Sequence, residues 1–452
     1  MKYRNRSAIF LFFAVLPAAL ARGPVCFAQP PAPYRLTLQD AIQKALQANL
    51  SVLEAESRVQ EDEGARTRSL SAALLPRVNA EAYANYQNRN LRAFGISVPG
   101  LPLPNVVGPF SNYDFRIYAQ QNVVDLQSYR TVKASERSLD AGRMDEQDAR
   151  DLIVRVIAGL YLNAQSARAR VDAAQTRVTD SSTLLKLAKD KHDAGTATGV
   201  DVLRAQVQLA NDKQALLEAR NQYKQSLLQL ARSLGVRPGT PLDLAEPLQY
   251  RALSQPQAKD LLPAALAARA DYLSLDRQRQ SLLEQQRANR ARFYPRLSIN
   301  GNIGELGRSI GSSATTGLIQ GQIDFTVFDR DREGEAQQLA GRIQRIEDQI
   351  ADLRRGVEED IREALLNLDS AAEQVSVAAD GQDLAQRELE EAQDRFKAGT
   401  ANNVEVVTAQ DELARAQENY ILAVSAHVDA KFALARALGD TERNILEFSA
   451  NP

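Results

Sequence analysis
Few residues in this chain have the types and spacing that bond-making chemistry needs. The two histidines, His192 and His427, are too far apart in sequence to read as a ligand pair, and Cys26 is the only cysteine. No phosphate-cradling glycine loop occurs. The run Asp329-Arg330-Asp331-Arg332 alternates charge, and reads as a strand-to-helix junction rather than a carboxylate pair for acid–base work. Two other constellations stand out, Ala194-Gly195-Thr196 through Val200-Asp201, and Ala398-Gly399-Thr400 through Val404-Glu405. Each places a Gly-Thr step just ahead of an acid in a first helical turn. That chemistry is turn-making, capping and charge attraction, which serves recognition or ion passage. No cofactor or metal is expected, and the reading is of a protein that is not an enzyme.

The two constellations are copies. Residues 194–235 recur at 398–439 with every partner 204 positions later, including Ala205/Ala409, Gln206/Gln410, Leu230/Leu434, Arg232/Arg436 and Gly235/Gly439. Asp125/Asp329 and Asn163/Asn367 carry the same register upstream. Farther back, Leu75-Pro76-Arg77-Val78 matches Tyr294-Pro295-Arg296-Leu297 at 219, so the first copy holds about fifteen more residues. These are expected in a Pro- and Gly-rich loop between 87 and 112. One duplicated half-domain, not a solenoid, is the implied architecture.

Lys2, Arg4 and Arg6 precede an apolar run from Ala8 to Leu20 and then small residues, the layout of a secretory signal. The run falls short of the ~20 residues a spanning helix needs, although an uncleaved anchor is the competing reading. Cleavage is expected after Ala21 or Ala28. Cys26 is read as a signal-region residue, with lipidation at Cys26 the alternative. With 55 basic against 57 acidic residues, nothing points to nucleic acid.

Proline is absent from 111 to 237 and from 297 to 451, which permits very long helices. Helices are expected over 128–192 and 331–397, each roughly 100 Å long. Each is followed by a partner, over 200–234 and 404–438, with Thr198 and Asn403 as candidate caps. Shorter helices are expected over 38–74 and 259–293. Between them the period switches to two. Val78, Ala80, Ala82 and Ala84 alternate with Asn79, Glu81, Tyr83 and Asn85, and the pattern returns at 113–120, 297–303 and 319–327. Four segments of about ten residues, apolar on one face and polar on the other, fit membrane-spanning strands. A four-stranded sheet covering a helical layer fits the periodicity equally well.

In that order, these features resemble the TolC-like outer-membrane efflux proteins from about 34 to 439. The resemblance rests on Leu36-Thr37-Leu38-Gln39-Asp40-Ala41-Ile42 in the opening helix, Leu75-Pro76-Arg77, Val124-Asp125 and Phe328-Asp329 at the strand boundaries, and above all the two tips. It implies an α+β membrane protein, with long helical hairpins forming a periplasmic α-barrel and four strands per chain contributing to a twelve-stranded outer-membrane β-barrel of a homotrimer. It implies an exit duct contacting outer-membrane lipid and docked onto a periplasmic adaptor (membrane fusion protein), and through it onto an inner-membrane RND, MFS or ABC transporter, in multidrug efflux or type I secretion. Gate and docking residues then fall at Gly195, Thr196, Val200, Asp201, Phe396, Gly399, Thr400, Val404 and Glu405. The chain departs from the family example in carrying Glu405 for an aspartate, Thr408 for a second acid and Phe396 for a tyrosine. The competing class is a periplasmic coiled-coil structural or adaptor-like protein without a pore. The expected layout is a signal peptide at 1–28, a linker at 29–36, repeats at 37–235 and 258–439, a linker at 236–257 and a tail at 440–452. Strands are expected near 78–87, 112–124, 296–306 and 317–328, and tips near 194–200 and 398–404.

Overall fold
The computed structural model describes residues 34–91, 93, 95, 104–237, 239–253, 261–439 and 441–450. The signal peptide, Cys26 and residues 29–33 of the first linker lie outside them, as do 254–260, 440, 451 and 452. The chain runs β1 (Tyr34–Leu36), α1 (Leu38–Ala48), α2 (Leu50–Leu74), β2 (Arg77–Asn90), β3 (Val106–Val124), α3 (Leu126–Asp193), α4 (Gly199–Ser233) and β4 (Leu242–Leu244). It continues with α5 (Leu261–Ala268), α6 (Ala270–Ala291), β5 (Arg296–Gly307), β6 (Ser313–Asp324), α7 (Asp331–Ala398), α8 (Asn403–Leu438) and α9 (Thr441–Ala450).

The long helices α3 and α7 are 68 residues each, and alanine is the commonest buried residue of α3, as at Ala134, Ala141, Ala158, Ala164, Ala174 and Ala188. Small side chains let neighbouring helices approach closely over a narrow seam. Helix α3 packs on α2 and α4 at one flank and on α6 and α8 at the other, and α7 packs on α6 and α8. The chain is therefore a slab four helices wide, with α2 and α4 at successive levels along one side of α3 and α6 and α8 along the other. Its outer flanks, α2/α4 and α7, expose Leu203, Val207, Leu217 and Leu228 on one side and Leu366, Val377 and Leu384 on the other.

The two shorter helices are not continuous. Asn49 and Arg269, at equivalent points of the two copies, take extended backbone angles and split each into two. Asn49 accepts from Ser51 N, so its side chain starts α2. The stretches expected as linkers also carry structure, since β1 and β4 pair in parallel. Leu36 and Leu244 enter a belt core with Ile42, Ile157, Tyr161, Leu230, Phe432 and Ile445.

The sheet order is β2-β3-β5-β6, antiparallel throughout, with β2 and β6 as edges. Pairing of Val78 with Ala119, Ala80 with Ile117, Ile117 with Ile303 and Gly301 with Ile319 puts the apolar residues on one face. Strands β2 and β3 run farther than expected, because a register shift between Gln87 and Arg89 lets pairing continue to Asn90 and Val106. Strand β6 ends at Asp324 instead of reaching 328. Its last partner is Arg296, and the preceding Pro295 has no N–H to offer. Phe325, Val327 and Phe328 are left exposed. Among the described residues no helix is long and apolar enough to cross a membrane.

Candidate functional site: the two hairpin tips
At both tips the turn is built alike. Gly195 and Gly399 adopt φ of 75° and 78°, the left-handed region that ends a helix at little cost only for glycine. A Cβ at either would meet nothing within 4 Å, so conformation and not space demands glycine. The Lys191 carbonyl then accepts from Thr196 N (2.8 Å), Ala197 N (3.2 Å) and Thr196 Oγ1 (3.0 Å). In the second copy the Arg395 carbonyl accepts from Thr400 N (3.0 Å), Ala401 N (3.3 Å) and Thr400 Oγ1 (3.1 Å). The Gly-Thr step thus closes the last turn of each long helix.

The copies part at the next helix. Thr198 and Asp201 form a capping box, in which Thr198 Oγ1 donates to Asp201 Oδ2 at 2.7 Å. That hydroxyl holds the Asp201 carboxyl below its ordinary range. Helix α8 is capped by Asn402, which accepts from Val404 N and Glu405 N, and not by Asn403. Asn403 is buried because its Nδ2 donates to the Asp201 carbonyl at 2.8 Å, tying the tips together. Relieved of capping, Glu405 pairs with Arg395 at 3.1 Å. Lys191, the counterpart of Arg395, reaches across instead, donating to the Phe396 carbonyl at 2.6 Å with its Nζ 5.0 Å from the ring centroid. Phe396 is buried with Leu184, Leu389, Val406 and Leu413, whereas Val200 and Val404 are exposed at the outer end. The structure therefore brings the sequence-selected residues into one adjoining pair of turns, with Phe396 in the packing beneath it.

The model of the outer membrane efflux protein family matches residues 41–236 and 261–440, most of the chain and both copies. The chain belongs to the outer membrane efflux protein family. The pyoverdine export outer membrane protein OpmQ of Pseudomonas aeruginosa is 23% identical over 427 residues, 89% of this chain and 85% of the relative. The toluene efflux pump outer membrane protein TtgC of Pseudomonas putida is 24% identical over 342 residues, 73% and 67% of the two chains. The solved structure of the outer membrane protein VceC of Vibrio cholerae shares the fold, with a TM-score of 0.73 at 19% identity over 89% of this chain and 96% of that one. The protein is an outer-membrane efflux channel, with its sheet at the membrane and its helices in the periplasm.

Other parts of the channel escape sequence reasoning. Where α5 and α6 separate, Arg269 is 5% exposed and donates to Asp271 (3.1 and 2.7 Å) and to Asp360 (2.8 Å). Arg436 donates to Asp148 at 2.5 Å and lies 3.9 Å from both Asp151 and Asp271. Burial opposes ionisation of Asp271, but the Arg269 bonds prevail and hold its carboxyl below the usual range. This network joins α3, α6, α7 and α8, and its residues are far apart in sequence. Nearby, His427 is buried edge-on to Tyr250 at 4.8 Å. Burial, then the charge of Lys431, pushes its imidazole down to about 4. On the polar face of the sheet, Tyr83 donates to Asp114 at 2.7 Å and Arg116 grips the same carboxylate. Opposite them Gly304 is required, since a Cβ there would fall 2.0 Å from the Phe115 carbonyl oxygen. Among the described residues no group of three or more His, Cys, Asp or Glu side chains is placed to hold a metal.

Proposed function
We propose that three copies close into one duct that conducts substrates passively, without catalysis, out of a tripartite efflux or secretion assembly. The observation that carries this reading is that one chain leaves both flanks open. Strands β2 and β6 are unpaired edges, and α4 and α7 expose apolar stripes on the corresponding flanks. A sheet edge in lipid leaves N–H and C=O groups without partners, at a cost of several kcal/mol each. Four strands from each of three chains make a twelve-stranded barrel, and β6 of one copy meets β2 of the next antiparallel. The polar face then lines water and the apolar face meets lipid.

In this reading the tips form the periplasmic entrance and the docking surface for an adaptor. Gly195, Thr196, Gly399 and Thr400 shape the turns, Val200 and Val404 offer apolar contact, and Asp201 and Glu405 place acids beside them. Mass measurement of the detergent-solubilised protein and single-channel recording in lipid bilayers test the assembly. A trimer with stable conductance is expected; a monomer without conductance would overturn it.

A further inference from the structure
Above the tips, where the two hairpins of one chain meet, four helices enclose a polar pocket of about 10 Å³, room for about one water molecule. Helix α3 lines it with Arg177 and Asp180, and α4 with Gln208 and Asp212. From α8 come Gln410 and Asp411, while α7 supplies only Leu389. Three carboxylates thus face one cation. Asp212 and Gln410 are each only 7% exposed. Gln410 Nε2 and Oε1 both lack a partner among the protein's atoms, and so does Arg177 Nε. An amide buried with both ends unpaired signals a missing partner. A direct link between hairpins at the pocket is Gln208 Nε2, 3.3 Å from Asp411 Oδ1, and the same nitrogen lies 3.5 Å from Asp212 Oδ1 of its own helix.

We propose that the pocket is a proton-operated latch between the hairpins. A proton taken from solvent by Asp180 turns its carboxylate into a hydroxyl donor, which reaches Gln410 Oε1 directly or through the single water the pocket admits. The first hairpin is thereby tied to α8 of the second. When Asp180 is ionised it has no hydrogen to give Gln410, and its charge repels that of Asp212. Burial, and then the charge of Asp212, raises the Asp180 carboxyl above its ordinary range. A raised value means the folded seam binds the proton more tightly than the opened one. The latch therefore engages as pH falls through that raised value and releases as pH rises. A metal ion would use the same oxygens, but among the described residues no three carboxylates are placed to hold one together.

Hydrogen exchange of the full chain in detergent, at pH 5 and pH 7.5 and corrected for intrinsic rates, reads the latch in peptides spanning 176–184, 206–214 and 406–414. Opening several-fold slower at pH 5 than at pH 7.5 is expected, because the closed seam holds the Asp180 proton more tightly than the opened one. In Asp180→Asn the side-chain amide donates at every pH, so protection is expected at both. In Gln410→Leu, which removes the unpaired amide without emptying the site, the pH difference is expected to vanish. The proposal is overturned if the wild type shows no corrected pH difference, if the difference survives in both Asp180→Asn and Gln410→Leu, or if added Ca²⁺ at pH 7.5 reproduces the protection.

Discussion
Single side chains distinguish the two tips more than their near-identical sequences suggest. Because Arg395 pairs with Glu405, the acid at the proposed entrance is countered by a cation of its own chain. Arg395→Gln should therefore raise the cation preference of reconstituted channels, and Glu405→Gln should lower it, read as opposite shifts of reversal potential in a salt gradient. Equal shifts in both would exclude Glu405 from the conducting path. The buried His427 carries a pH dependence of its own. Its imidazole falls to about 4 in the fold from an ordinary 6.5. The stability tied to its neutral form is full above pH 6.5 and is lost as pH falls toward 4, up to about 3 kcal/mol per chain. His427→Phe should flatten that acid limb of thermal unfolding. The glycines, the Thr198 cap and the acids were legible from local rules, since turns and caps depend on neighbours in sequence. Arg395–Glu405, Asn403–Asp201 and the Arg269 network were not, because each pairing is decided by how helices meet in space.

At the scale of elements, the duplication, the proline gaps and the two periodicities delineate both long helices and all four strands. What they missed are breaks that helix formers do not advertise. The Arg269 break is stabilised by carboxylates on its own helix and on α7, so propensity there is overridden by tertiary contact. The cap of α8 is Asn402 and not the expected Asn403, because either of two adjacent asparagines satisfies the sequence rule and burial of one decides for the other. The caps give a direct test. Thr198→Ala should cost about 1 kcal/mol and fray the first turn of α4. Hydrogen exchange should show this at 199–203 while 403–407 stays unchanged.

For the whole molecule, closure is the missing half of the fold, and its chemistry is distributed along the flanks. A double substitution Val377→Asp/Leu384→Asp puts two charges on the exposed stripe of α7 without touching the chain's own core. The monomer should keep its helix content by circular dichroism while trimer is lost on native gels, because each charge would be buried unpaired in the assembled seam. Retention of a stable trimer would place that stripe facing solvent or a different partner. The membrane role was legible only by combining the alternating strands with the duplicated tips. Periodicity alone does not separate a lipid-facing sheet from one lying on helices.

The different caps of α4 and α8 set a counting rule for whatever binds the entrance. Both turns present the same closed Gly-Thr backbone, but the second displays a close, exposed Arg395–Glu405 pair, while the first tucks its acid into a capping box with Arg204 3.9 Å away. On a threefold assembly, a ligand that reads backbone shape finds six equivalent seats, whereas one that reads the Arg395–Glu405 pair finds three. Titration calorimetry with an isolated adaptor hairpin should give a stoichiometry near two per chain in the first case and one per chain in the second. Exchanging Asn402→Thr together with Glu405→Asp, which rebuilds the first copy's box in the second, should leave the first count unchanged and abolish binding in the second case.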